Sequence, residues 1–171
     1  MTLADLDEGL ELVRQLPQDL VSFHGPRNDD LIETAAKQLG VRLSPTYREF
    51  LRRTGGGSVA DEEFYGIVKN APEEIANWGV VWATARNRDD YGQPHGLITL
   101  GAVMWESEIY VLDTSSLDDQ GEAPVMIWDP DPSSSERGLG TIIASDFGSF
   151  FRDRLRVILA EQGPEGEPGV W

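Results

Sequence analysis

Hydrophobic residues recur at helical spacing in five stretches of this chain and alternate with polar ones in a block before the last of them. Leu3, Leu6, Leu10 and Val13 mark one side of a first helix over residues 2–16, with Thr2 as its cap and Pro17 beyond its end. Residues 17–28 contain prolines, a glycine and an asparagine, and read as a loop holding a solitary histidine, His24. Ile32, Ala35, Ala36 and Leu39 share one face of a second helix over 30–39, capped by Asp29 or Asp30 and ended by Gly40. Tyr47, Phe50 and Leu51 do the same for a third, with Ser44 as cap and Pro45 in the first turn, where a missing N–H costs nothing. Gly55-Gly56-Gly57 stops it, because glycine takes left-handed angles without strain.

A strand is expected over 64–68, and Pro72-Glu73-Glu74 opens a polar, helical turn. Trp78, Val81, Trp82 and Ala85 predict a fourth helix over 77–90, capped by Asn77, with its two tryptophans packed inward. An outward-facing aromatic platform is the alternative. The period then changes. Residues 97–100 and 102–104, 108–113, 124–128 and 141–143 read as strands, with a turn at Glu106-Ser107 and acidic or Pro/Ser/Gly loops at 113–121 and 129–140. Phe147, Phe150, Phe151, Leu155, Ile158 and Leu159 form the buried stripe of a last helix, capped by Ser145, with Arg154 leaning toward the stripe. The sum is a single α+β domain over 1–160, an antiparallel sheet of about five or six strands with helices packed against it. A mobile tail is expected over 161–171.

Charge adds to this picture. Against 14 bases stand 30 acids, a formal net charge of −16. Between residues 89 and 136 there are 11 acids and no lysine or arginine. Such a field favours solubility, repels nucleic acid and anionic membranes, and attracts basic partners. There is no cysteine, which rules out disulfides and thiolate sites and fits a reducing compartment. The first ten residues carry three acids and no base, unlike a signal or transit peptide. No apolar run reaches the roughly 20 residues that span a bilayer, and a cytoplasmic protein is expected.

The order Pro45-Thr46-Tyr47-Arg48-Glu49-Phe50-Leu51, a glycine pair, then Tyr65-Gly66 resembles the SUKH superfamily, specifically the Smi/Knr family. Leu39-Gly40 sits between two helices as in that family. The runs Arg86 to Leu97, Ile109 to Ser115, Pro124 to Trp128 and Ile142 to Phe151 resemble its later elements in the same order. Together they cover roughly residues 30–159, in a pattern that resembles the YobK-like bacterial immunity proteins. The chain departs from the family at Thr54, where asparagine is usual, at Trp105-Glu106-Ser107-Glu108, where a Gly-Asp turn is usual, and in a longer loop around Arg137.

The parts of a catalytic site are missing from the sequence. Two distant histidines, no cysteine and no nucleophile elbow leave covalent catalysis without its groups. Ser58 follows glycines with no histidine near it, and Gly55-Gly56-Gly57 lacks the lysine of a phosphate loop. Asp129 and Asp131 flank a proline but fall short of the six or more oxygens a calcium ion takes. The expectation is therefore no enzyme, cofactor or metal. The resemblance implies a non-enzymatic immunity protein, monomeric or weakly dimeric, that neutralises a bacterial toxin, often a nuclease. The alternative it implies is an intracellular scaffold or regulator. A basic nuclease cleft would be met by Trp105, Glu106, Glu108, Asp129 and Asp131, helped by Asp61, Glu62 and Glu63.

Overall fold

The computed structural model describes residues 2–103, 108–131 and 140–162. Among these lie five α-helices and seven short strands: α1 Thr2–Arg14, β1 Val21–Phe23, α2 Asp29–Leu39, α3 Pro45–Thr54, β2 Gly57–Val59, β3 Glu62–Phe64, α4 Gly79–Tyr91, β4 Leu97–Ala102, β5 Ile109–Asp113, β6 Val125–Trp128, β7 Thr141–Ala144 and α5 Phe147–Gln162. The expected α+β class holds. The strands form two antiparallel sheets, β1-β2-β3 and β4-β5-β6-β7. One hydrogen bond, from Tyr65 N to Leu100 O at 2.7 Å, stitches the edge of the first to the edge of the second.

The main core lies between the inner faces of these sheets and the helices. Phe50 and Phe147 meet at 4.8 Å between ring centroids, Phe50 and Phe151 at 5.1 Å, Phe64 and Phe151 at 5.0 Å, and Tyr110 and Phe150 at 5.0 Å. The stripe read on the last helix therefore holds together α3, β3 and β5 as well. Helix α1 lies along α5, brought close by Gly9: a Cβ there would sit 2.7 Å from the Phe151 ring. Ion pairs Arg152–Asp5 and Arg156–Glu8 line the same seam.

Tertiary partners set several details that local sequence does not show. The loop expected over 17–28 contains β1, which pairs Val21 with Val59 and Phe23 with Gly57. The strand expected over 64–68 ends at Phe64, and the glycine run itself enters β2. These glycines permit a close backbone crossing. A Cβ on Gly57 would lie 2.0 Å from Ser22 O, and one on Gly66 would lie 2.2 Å from Gly55 O. The pairing of a glycine cluster with Tyr65-Gly66 is thus one packing contact, read at both of its ends.

The caps also differ. Asn28, not Asp29 or Asp30, accepts from Leu31 N at 2.9 Å to begin α2. Asp146, not Ser145, accepts from Ser149 N at 2.8 Å to begin α5. Ser44 occupies the cap position of α3, but its hydroxyl makes no cap bond. Glu122, 76 positions along the chain, does the work through Thr46 N at 3.0 Å and Thr46 Oγ1 at 2.8 Å. A carboxylate there also suits the positive end of the helix dipole.

The largest correction concerns α4. Trp78 is 54% exposed and Trp82 45% exposed, so the inward packing expected for them does not occur. The buried side is Val80, Val81, Ala83 and Thr84. Hydrogen bonds choose that side: Thr84 Oγ1 accepts from Thr99 N at 3.0 Å, and Asn87 Nδ2 donates to Thr99 Oγ1 at 3.0 Å. The helix starts at Gly79 in a left-handed conformation, with Val80 N bonded to Gly66 O at 3.0 Å, rather than at an Asn77 cap. The Thr2 cap, the turn at Glu106-Ser107 and the Arg137 loop lie outside the described residues or side chains.

Candidate protein-binding surface

The register across the sheets places several of the expected acids at one end of the molecule. Ile109 pairs with Trp128, so the residues beyond them, Glu108 and Asp129, face each other across β5 and β6. Val103 N donates to Glu108 O at 3.1 Å, which continues the row into β4. Glu63 O lies where Gly101 comes closest, so the β2–β3 turn with Asp61 flanks the same end. Asp131 follows two residues after Asp129 and donates its N–H to the Asp129 carboxylate at 2.8 Å. Trp105 and Glu106 lie outside the described residues.

Glu62 does not share this exposure. It is 5% exposed and faces α5, where Arg154 Nε and Nη2 donate to its two oxygens at 2.7 and 2.8 Å. Arg154 also sits 5.9 Å from the Tyr110 ring centroid. The hydrogen bond and charge of Glu62 hold the guanidinium in its protonated form beyond its ordinary range. The residue serves the fold, and the outward acids of this turn are Asp61 and Glu63. The acid-rich stretch contains two further structural carboxylates. Glu122 caps α3 as described, and Asp113 is buried, accepting from Ser115 N at 3.0 Å.

Glu63 borders a groove of about 310 Å³ between the outer face of the three-stranded sheet and the start of α4. Strand alternation sends Glu62 and Phe64 inward and Glu63 outward. Ser22, Ser58 and Glu63 then form a cross-strand row on the floor. Trp78 and Trp82 wall the groove, with His24 and Tyr65 at its side. Burial, then the nearby Arg27 guanidinium, lowers the His24 imidazole below its ordinary value despite Glu63. Burial, the Glu63 charge and a hydrogen bond to it raise the Tyr65 phenol. Both rings are therefore uncharged at neutral pH.

Arg27 fixes the neighbouring loop. It is buried and donates to the carbonyls of Ile67, Val68, Pro26 and His24 at 2.8, 3.0, 3.1 and 3.2 Å. A second hollow, of about 670 Å³, lies among α1, α2 and α3. Two of its three arginines are paired, Arg48 with Glu33 at 2.5 Å and Arg52 with Asp29 and Glu49 at 2.7 Å each, and Arg42 also lines it.

The glycines from Gly55 to Gly66, the paired strands β5 and β6, and the first turn of the closing helix with Phe147, Phe150 and Phe151 fall within one matched region. A family model described as SUKH_6, SMI1-KNR4 cell-wall, matches residues 29–151. The chain belongs to the SUKH family. No curated protein matches it. Membership carries an immunity-protein-like or SMI1-KNR4-type role with a protein partner. The SUKH match takes in Glu63, Trp78 and Trp82 but not Ser22 or His24, which β1 brings to the groove from outside the matched stretch. Among the described residues, no group of His, Asp or Glu is arranged to hold a metal ion, and no helix is long and apolar enough to cross a membrane.

Proposed function

We propose that this SUKH protein is a non-enzymatic, cytoplasmic immunity protein that binds a cognate toxin and closes its basic, phosphate-binding cleft. The observation that carries this reading is the charge, −16 over 171 residues, with exposed Asp61, Glu63 and Asp131 and half-buried Glu108 and Asp129 at one end of the sheets. A nuclease needs a positive cleft for its substrate, and the same cleft is a docking site for a surface of opposite sign. Long-range attraction raises the encounter rate, and buried contacts then slow dissociation. Asp61, Glu63, Glu108, Asp129 and Asp131 form the acidic surface in this reading, with Trp105 and Glu106 beside it in the chain. The protein acts as a monomer or weak dimer, because equal charges oppose self-association.

The test is co-expression with the product of each neighbouring reading frame, scored for a toxin that this protein neutralises. Replacing Glu108 and Asp129 by lysine should lower the association rate about tenfold or more at low salt, with a smaller loss at high salt. Protection of cells should fall with it, while the circular dichroism spectrum stays that of the parent. Undiminished protection by the folded variant would overturn the acidic-surface reading.

A further inference from the structure

The groove beside β3 combines two features that folding alone does not require. Two indoles, the largest side chains the fold uses, remain about half in water at Trp78 and Trp82. Between them and the sheet stands Glu63, and no ion pair among the described residues engages it. The neighbouring Glu62 takes Arg154 instead. His24 and Tyr65 next to Glu63 are uncharged at neutral pH, so neither neutralises the carboxylate.

Trp82 already shows what its ring accepts. The Arg86 guanidinium lies 5.2 Å from its centroid. Arg86 and Trp82 line a separate hollow toward Asp89 and Asp90, while Trp82 also borders the Glu63 groove. One flank of the indole is therefore covered by a cation from within the chain, and another borders an open groove.

We propose that this groove is the anchor point for an arginine or lysine side chain of the protein partner, stacked on Trp78 and Trp82 with Glu63 as its counter-ion. The inference rests on the reading of the partner as a basic protein. An aliphatic anchor would cover the indoles equally well, but it would strip water from Glu63 and give nothing in return. A guanidinium or ammonium satisfies both surfaces at once, because an aromatic face attracts cations and a carboxylate pairs with them. Arginine suits the site better, since its planar group stacks and bonds the carboxylate together. A second copy of this chain is a poor occupant, because both copies carry −16.

The test is a titration of the full chain, followed through its indole N–H resonances, with acetyl-Gly-Arg-Gly-amide. The comparison peptide carries citrulline, the neutral isostere of arginine. The indoles of Trp78 and Trp82, assigned with Trp78→Phe and Trp82→Phe, should shift saturably in the millimolar range with the arginine peptide. Citrulline should bind about tenfold more weakly, and Glu63→Gln should weaken the arginine peptide about fivefold at low salt. Equal response to both peptides, or no response at about 20 mM, overturns the proposal. Dimerisation that moves the same two indoles, without a peptide response, overturns it in favour of a second copy. The co-expression assay separates the two readings. If Trp82→Ala and Glu63→Gln protect like the parent while reversal of Glu108 and Asp129 abolishes protection, the anchor is wrong and the immunity reading stands. If the peptide binds as described but no toxin is neutralised, the anchor stands and the immunity reading fails.

Discussion

Two adjacent glutamates with opposite environments offer the sharpest check on the structure. Glu62 is 5% exposed and receives two hydrogen bonds from Arg154, at 2.7 and 2.8 Å, whereas Glu63 faces solvent. Glu62→Ala leaves the guanidinium beside Tyr110 without its carboxylate. Removing one partner of a fully buried pair costs about 3–5 kcal/mol, and an exposed pair is worth about 0.2–1 kcal/mol. The Arg154 side chain is 26% exposed and can recover some hydration, which places the cost between these limits. We expect about 2–3 kcal/mol, or a melting temperature lower by about 5–10 °C for a chain of this length. Glu63→Gln should change stability by less than about 0.5 kcal/mol. The double variant Glu62→Ala with Arg154→Met should regain at least half of the loss, because no stranded charge remains and methionine fills part of the space. Urea unfolding, followed by tryptophan fluorescence and far-ultraviolet circular dichroism, measures all three. If Glu62→Ala costs under about 0.5 kcal/mol, or the double variant is no better than the single one, the inward assignment of Glu62 is refuted.

The cap of α3 gives a second contrast: Glu122→Ala should cost about 2 kcal/mol by freeing Thr46 N and Oγ1. Ser44→Ala should be neutral in the same thermal melts, since the buried Ser44 hydroxyl has no hydrogen-bond partner. Tyr47 is fully buried, donates to Tyr65 O at 2.7 Å, and burial drives its phenol far above its ordinary value of about 10. The folded state then keeps a proton that the unfolded chain releases, so this stability is complete below about pH 10 and declines as pH rises above it. Tyr47→Phe should be about 1 kcal/mol less stable at pH 8 yet lose less between about pH 10 and 11. Parallel losses in the two proteins, measured by urea unfolding at each pH, would refute that account.

The sequence was informative wherever a residue's role depends on its near neighbours. The apolar stripes of α2, α3 and α5 are buried as their spacing indicates, because an i, i+3, i+4 pattern leaves a helix one face to hide. Gly40 and Gly55 end their helices in left-handed conformations, a backbone demand that glycine meets without strain. The strands β4, β5 and β6 follow their runs of β-branched and aromatic residues.

Tertiary structure decided what depends on distant partners. The three-residue strands β1 and β2 are too short to carry a period and exist through pairing with each other and with β3. Which carboxylates are structural and which are outward cannot be told from local charge: Glu62 meets an arginine 92 positions away, and Glu122 meets a helix start 76 positions away. The same holds for the groove. Hydrophobic spacing pointed Trp78 and Trp82 inward, but two hydrogen bonds, from Thr99 N to Thr84 and from Asn87 to Thr99 Oγ1, rotated α4 and left the indoles in water. Hydrophobic burial is non-directional and tolerates either face, whereas a buried backbone N–H needs its acceptor at one place. That directional requirement, invisible until β4 lies against the helix, put two tryptophans beside Glu63.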